Sequence, residues 1–576
     1  MGSLLIVETS ADPAPALEVF ERQGLTAPAI HSGGGFDIYL YPPLGGGAPV
    51  TVASQTGGFA AAVGVLLYRG RGGQAALADL LADWRGGGID EGALMGGFAA
   101  VVQAGGDTAL FTDRMGNQQI YAAPSARAWS TSFLALARLC GRRHLNTQAA
   151  YEYVFQGTTY GADTLLDEVV QLAPDTCHPL TPGRTAVPRP LRLPDRPSAR
   201  PFEDLRHQVS ATLDAVFDAL TAEGAPPVDT ALSGGYDSRL ILALLRARGV
   251  TPELHVYGAA SDPDVIVAKA VAAAEGLAIK HIDKAAIDRP DPDALPEIVA
   301  RNFHVFDGYP TDGIVDWGID LATRLERCRE GRVALNGGGG EIFRNFFYLP
   351  DRPLTSRQLL WTFYTQFDPR VAAAPFSARR YHDRLGEKLK ASLGAAAEPL
   401  SRTQVELAYP LFRCRFWTSR NTSNNLRLGP AMMPFLQPDV VAAAAGVPLR
   451  FKTHGAFEAA LIAAADPALA AHPSAYGFAP VERPPWRKRL ATGLTLARPT
   501  TLRRFSYRVQ HRMRGPIGDP LLADGAIARV LSHGWDTVRP LFRPEACRDG
   551  AQLKRMATLA YLMETLEVSA GGSRVD

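Results

Sequence analysis

The sequence predicts an α/β protein in two parts: a layered α+β N-terminal part and a parallel α/β C-terminal part. Three observations carry this. Short apolar runs broken by glycine turns fill residues 1–180, regular strand–helix alternation begins at residue 228, and residues 179–201 between them are dense in Pro and Arg with no apolar period. A chain of 576 residues is also too long for a single hydrophobic core. The expected domains are 1–195 and 200–576.

In chain order, Leu4-Leu5-Ile6-Val7 reads as a first strand, and glycine breaks follow at Gly33-Gly34-Gly35 and Gly45-Gly46-Gly47. Leu77, Leu80, Leu81 and Trp84 have helical spacing. Ala100-Val101-Val102 and Ala109-Leu110-Phe111 read as neighbouring strands around a Gly105-Gly106-Asp107 turn. Residues 179–201 read as a linker or an extended crossing segment. The stripe of Leu205, Val209, Leu213, Val216 and Phe217 predicts a helix over 202–220. Strands are then expected at 228–232, 253–257, 278–282 and 333–335, with helices at 239–248 and 264–275. From about residue 352 the chain is alanine-rich and expected to be mostly helical.

Composition excludes more than it identifies. The chain is 46% hydrophobic and 20% charged, with a net charge of +2 that favours neither nucleic acid nor membrane. Its five cysteines, Cys140, Cys177, Cys328, Cys414 and Cys547, form no CxxC pair and no Cys/His cluster with zinc spacing. Reduced thiols in a cytoplasm are the expectation. The N-terminus lacks the basic and apolar regions of a signal peptide, and apolar runs such as Phe59–Tyr68 are too short to span a bilayer.

Ser233-Gly234-Gly235-Tyr236-Asp237-Ser238 directly follows a strand and opens a helix. Glycines let several backbone N–H groups converge, the helix adds its positive end, and Ser233 and Ser238 add hydroxyl donors. Asp237 would repel a bare phosphate, which points to a Mg²⁺ ion between the two. On the residues alone, a capped helix after a glycine turn remains an open reading. The run Gly337-Gly338-Gly339-Gly340, after a predicted buried strand, offers side-chain-free backbone to a nucleotide. Its other reading is a surface loop.

The first motif resembles the pyrophosphate loop of the ATP pyrophosphatase superfamily, asparagine synthetases included. No G-x-x-x-x-G-K-[ST] loop is present. Ser261-Asp262-Pro263-Asp264 with Ala268, Val271 and Ala272 resembles the family's next helix, and Gly276 and His281 loosely resemble its ending. Leu335-Asn336-Gly337-Gly338-Gly339-Gly340-Glu341 and Pro434-Phe435-Leu436 resemble two further segments. Gly96-Gly97-Phe98-Ala99, Thr112-Asp113-Arg114-Met115-Gly116, Ser130-Thr131-Ser132 and Leu172-Ala173-Pro174 resemble the class II glutaminase domain. The resemblance implies a degenerate Ntn-type glutaminase-like domain followed by an adenine-nucleotide α-hydrolase-like synthetase domain, using ATP and Mg²⁺. It also implies nucleotide contacts from Leu232, Ser233, Gly234, Gly235, Asp237, Ser238, Tyr257, Asp264, Asn336, Gly337 and Gly338. Asp237 and Glu341 would be the catalytic and metal-holding residues.

Departures from the family narrow the expectation. Residue 2 is Gly where these glutaminases carry a nucleophilic Cys, and the Arg-Gly-Pro-Asp and Asn-Gly-Glu glutamine-binding segments are missing. The domain is therefore expected to be a scaffold that releases no ammonia. Gly338 stands where relatives have Glu or, in β-lactam synthetase, a catalytic Tyr. The family's phosphate-contacting Lys has no clear counterpart; Lys452, Arg344 and Lys488 are candidates for its charge. The amine must then come from the substrate. The stretch from Gly338 to Pro350 resembles lasso peptide cyclases, which close a macrolactam between a peptide's N-terminal amine and a side-chain carboxylate. The resemblance implies an AMP-forming ligase acting on a precursor peptide, partnered by a leader protease and a leader-binding protein. Alternatives are a β-lactam or asparagine synthetase-like ligase on a small molecule, and a non-catalytic peptide-binding assembly protein. Residues 483–514, rich in Arg, read as a solvated helical face or as a contact surface for a peptide or partner protein.

Overall fold

A computed structural model describes residues 2–54, 58–374 and 376–569. Its N-terminal part is a stack of two antiparallel sheets. In the first, Ser3–Glu8 lies between Phe36–Tyr41 and Ala128–Ser130, with Ala29–Gly33 at one edge and Tyr121–Ala123 and Val170–Gln171 towards the other. In the second, the apolar run Phe59–Tyr68 and Leu94–Ala104 form the centre, followed by Asp107–Thr112 and Thr176–Pro179. Alternation decides the layering. Leu4, Ile6, Ile38 and Leu40 of the first sheet meet Ala61, Val63, Ala99 and Val101 of the second. The second sheet's other face packs Ala60, Ala62 and Val102 against Leu77, Leu80 and Leu81 of helix Gly73–Arg85. The first sheet's outer residues, Leu5 and Val7, join Val19 and Phe20 of helix Ala14–Arg22 and Phe133 to Ala137 of helix Phe133–Leu139. The result is four layers, αββα.

Residues 179–201 are not a free linker. Val187–Pro188 pairs with Thr176–Pro179 and extends the second sheet, and the Arg189 guanidinium makes two hydrogen bonds to Glu91, at 2.6 and 2.9 Å. Proline density signals the lack of a helix, but says nothing of the anchoring by one buried Arg.

Helix Phe202–Leu220 then leads into a five-stranded sheet that is parallel throughout. Its order is Ile279–Ile282, Glu253–Tyr257, Val228–Ala231, Val333–Leu335, Ala431–Met432. The first three strands run outward in one direction from Val228–Ala231, and the last two run in the other. The order therefore reverses between Val228–Ala231 and Val333–Leu335, and the crevice beyond the carboxyl ends of such a pair is where open α/β sheets bind ligands. The expected strands are all present. The fifth, two residues long, carries no periodicity that a sequence could show. Helix Tyr236–Arg246 begins three residues earlier than expected, because Gly235 takes the extended N-cap position and Asp237 suits the first turn.

The two parts meet across a buried polar seam. Asp307, 1% exposed, accepts hydrogen bonds from Ser132 Oγ, the N–H groups of Phe133 and Leu134, and Gln23 Nε2. Arg420 and Arg427 lie 3.7 and 3.6 Å from its carboxylate. Their Nη atoms donate to Tyr121 Oη and the Asp307, Val305 and Thr131 carbonyls, while both Nε atoms are buried without a hydrogen-bond partner.

Candidate active site

Both glycine runs sit at the switch point. Val228–Ala231 ends in the first loop and Val333–Leu335 in the second, and the strands are in register through Val228–Val333 and Thr230–Leu335. The contact between the loops needs glycine. A Cβ on Gly340 would fall 2.0 Å from Asp237 Oδ1, and one on Gly337 would fall 3.1 Å from Asp237 Cβ. Gly339 turns the backbone at φ +97°, a region that suits glycine. The second loop is thus laid against the first aspartate, which a flexible surface loop would not be.

The first loop is internally braced. Ser238 Oγ accepts from the Ser233 N–H, Ser233 Oγ accepts from the Gly235 N–H, and Asp264 Oδ1 accepts from the Gly234 N–H at 3.0 Å. Gly234 has no room for a side chain, since its Cβ would lie 2.5 Å from Ala475 Cβ. That close neighbour is held by Arg239. Fully buried, Arg239 donates to the His472 and Pro473 carbonyls and so pins the 472–478 loop over the site. Leu232 is in the core, with its N–H on the His255 carbonyl. Any contact it makes with a ligand is through backbone. Tyr257 ends its strand beneath Lys284, whose Nζ lies 5.0 Å from the ring centre. Asn336 turns back to accept from the Gly338 N–H at 2.8 Å.

Asp237 and Glu341 share a partner. Arg344 Nη2 stands 2.8 and 2.6 Å from the two Asp237 oxygens and 3.8 Å from Glu341 Oε1. Its Nε lies 3.2 Å from Glu458 Oε2, and its Nη1 donates to Tyr476 Oη at 2.7 Å. Of the three cations the sequence offered, Arg344 is the one in the cluster. Lys452 is paired with Glu406, and Lys488 rests over the Tyr476 and Phe478 rings at the rim.

Glu458 was not foreseen from sequence. It lies on helix Ala456–Ala465, fully buried, and neither oxygen accepts a hydrogen bond. Alanine-rich surroundings gave no hint that one turn faces the site. Tyr409 was also missed. It opens the π-helical segment Tyr409–Thr418 and its hydroxyl donates to Glu341 Oε2. Such wide turns are frequent at functional sites.

Three carboxylates thus surround one guanidinium. Burial, then the neighbouring Asp237, push the Glu341 carboxyl above its ordinary range, against the pull of Arg344 and Tyr409. Burial and Asp237 raise Glu458 further. Burial disfavours the Arg344 cation, yet Glu458 and Asp237 outweigh it and hold the proton firmly. The cluster is short of positive charge. Among the described residues no group of three or more His, Cys, Asp or Glu side chains converges as a cage for a metal. Mg²⁺ does not need one, because one or two carboxylates, waters and substrate phosphates complete its shell. The hard oxygen donors and the unbalanced charge of Asp237 and Glu341 fit that ion.

On helix Ser419–Leu428 opens a chamber of about 510 Å³, lined by neither glycine loop. A Cβ on Gly338 would touch Thr418 at 3.2 Å, and helix Ser419–Leu428, which starts at the next residue, lines the chamber with Asn421 and Asn424. Phe306, Trp317 and Leu521 give its walls apolar surface; Asp312, Asp316 and Lys554 give charge. Ala475 faces Gly234 and solvent, and the chamber wall is mixed rather than apolar.

Residues 210–465 match the family model described as Asparagine synthase, a family of ATP-dependent, AMP-forming carbon–nitrogen ligases. No curated protein matches the chain by sequence. Among solved structures, the allosteric regulatory enzyme of purine biosynthesis is 13% identical, covering 44% of this chain and 64% of its own, with a TM-score of 0.23. The glutamine phosphoribosylpyrophosphate amidotransferase from B. subtilis, solved with ADP and GMP, is 12% identical. It covers 60% of this chain and 77% of its own, with a TM-score of 0.24. This chain therefore spans just under two thirds of the first structure.

Proposed function

We propose that the asparagine synthase domain carried by residues 210–465 serves here as a peptide macrolactam cyclase of the lasso type, with residues 1–195 as a silent scaffold and 200–576 as the synthetase. ATP binds across the switch point, its phosphates against the Ser233–Ser238 backbone and hydroxyls and its adenosine towards Leu232, Tyr257 and Asn336. A side-chain carboxylate oxygen attacks the α-phosphorus, the bond to pyrophosphate breaks, and an acyl-adenylate forms. The peptide's own N-terminal amine then attacks the acyl carbon, loses a proton and expels AMP. Mg²⁺ held by Asp237 and Glu341 would neutralise the departing pyrophosphate. Arg344 holds both carboxylates in place, and the braced loops fix the reactants close together, which is the main demand of such a condensation.

The observation that carries the peptide reading is the chamber on helix Ser419–Leu428, whose preceding residue, Thr418, lies against Gly338. Its volume lies within the range of pockets that enclose whole ligands, and its mixed wall suits a folded peptide better than ammonia. The thiols favour an internal amine. All five cysteines are buried, and burial pushes Cys140 and Cys177 up to about 11, which leaves little nucleophile to release ammonia from glutamine. Position 2 has no space for a thiol either, since a Cβ on Gly2 would lie 1.9 Å from the Tyr41 carbonyl oxygen. A precursor peptide, its leader protease and a leader-binding protein are the expected partners. In the test, enzyme, leader protease, peptide and ATP are incubated and weighed by mass spectrometry. The product should be lighter than the linear peptide by one water, with AMP formed alongside. ADP in place of AMP, or an unchanged peptide mass, would defeat the cyclase reading. AMP formed only with a free amino acid and ammonia would put a small-molecule ligase in its place.

A further inference from the structure

Helix Trp486–Ala497 buries none of its twelve residues. Trp486, Leu490 and Leu494 nevertheless fall one turn apart on it, 68%, 56% and 66% exposed. The next helix, Thr500–Met513, packs inward on helix Ser356–Phe363. Thr500, Arg503 and His511 are buried there, and the Tyr507 hydroxyl donates to the Thr362 carbonyl. Its opposite stripe, Leu502, Phe505 and Met513, is 49%, 63% and 80% exposed. A short helix gains little in water by itself, and large apolar side chains on successive turns mark a face that something covers.

Charge identifies the occupant. Residues 483–518 contain ten Lys and Arg and no Asp or Glu, in a chain whose net charge is only +2. Arg487 and Arg489 are exposed on the same helix as Trp486, Leu490 and Leu494, and Lys488, folded over the Tyr476 and Phe478 rings, marks the inward side. An acidic protein would need a shaped counterpart to two separate stripes. A lipid surface needs none: Trp, Leu and Phe enter the acyl boundary while Lys and Arg meet the headgroups. We infer that residues 483–514 form an interfacial anchor that lies on an anionic lipid surface without crossing it. No described helix is long and apolar enough to span a membrane. The anchor would also set the catalytic mouth beside the bilayer, since Tyr476, against which Lys488 rests, bonds Arg344.

The test uses the full chain and sedimentation with vesicles of phosphatidylcholine alone or of equal parts phosphatidylcholine and phosphatidylglycerol. About tenfold more protein should travel with the mixed vesicles, and raised salt should reverse this. The variant Trp486→Ser/Leu490→Ser/Leu494→Ser should lose the binding and stay close to the wild-type Tm, because those side chains are mostly exposed and belong to a helix with no buried residue. Equal sedimentation with both vesicle types overturns the anchor, as does undiminished binding by the triple variant. Binding to polyglutamate with none to vesicles also overturns it and assigns the face to an acidic polypeptide.

Discussion

At the seam between the two parts of the molecule, one carboxylate faces two guanidinium groups. At the edge of the parallel sheet, three carboxylates face one. Both clusters are buried and use the same residue types, and the proportions decide what each does. Burial by itself would raise Asp307, but Arg427, Arg420, Ser132 and the Phe133 N–H hold it below the usual carboxylate range, with its hydrogen bonds complete. That is a fastener. In the other cluster Glu341 and Glu458 are both pushed up and Glu458 has no hydrogen bond. Buried carboxyls crowded in this way mark a candidate functional site.

The comparison breaks most visibly at the seam. Asp307→Ala leaves Arg420 and Arg427 buried and unpaired, so unfolding by urea should show a loss of about 3–5 kcal/mol. Adenylation per folded molecule should stay near wild type. A variant as stable as the parent would mean that the seam fastens nothing. Asp237→Ala should do the reverse. ATP–pyrophosphate exchange should fall about a thousandfold, while stability holds or rises, because one of three crowded carboxylates is gone. Exchange at the wild-type rate would remove Asp237 from the chemistry.

The smallest effect concerns pH. A carboxyl whose pKa is raised by folding binds its proton more tightly in the native state. Its contribution is therefore complete below the ordinary value of 4.5 and is lost as pH climbs from there towards the raised value. Metal-free protein should lose stability over that rise, with a slope of up to about 1.4 kcal/mol per pH unit for each such group. Asp307, held low, acts in the opposite sense and loses its contribution as pH falls below 3.8. Glu458→Gln should flatten the upper limb and leave the lower one unchanged. An unaltered upper limb would mean that Glu458 is not the group that titrates.

The parallel sheet was legible from sequence because its first three strands alternate regularly with helices, and because a glycine loop after each of two strands has few other uses. The αββα layers were legible as a class and not as a topology, since antiparallel pairing rests on contacts distant in sequence. Asp237 and Glu341 stand beside glycines that announce them. Glu458 lies in the alanine-rich helix Ala456–Ala465, with nothing local to distinguish it from a solvated glutamate. Arg344 was named only as one of three possible cations, because the carboxylates that claim Arg344 and Lys452, namely Glu458 and Glu406, are distant from them in sequence. Arg189 shows the same limit, since it anchors a segment whose composition reads as linker.

The seam has a consequence for inheritance. Asp307 and the guanidinium groups that neutralise it belong to one part of the chain, while Ser132, Tyr121 and the Phe133 and Leu134 amides that complete the network belong to the other. A deletion that shed the first 195 residues would take the Gln23, Ser132, Phe133 and Leu134 donors from Asp307 and uncover apolar surface such as the Tyr309 ring, which packs edge-on against Phe133. The N-terminal part thus has a structural reason to be kept that asks for no chemistry of its own.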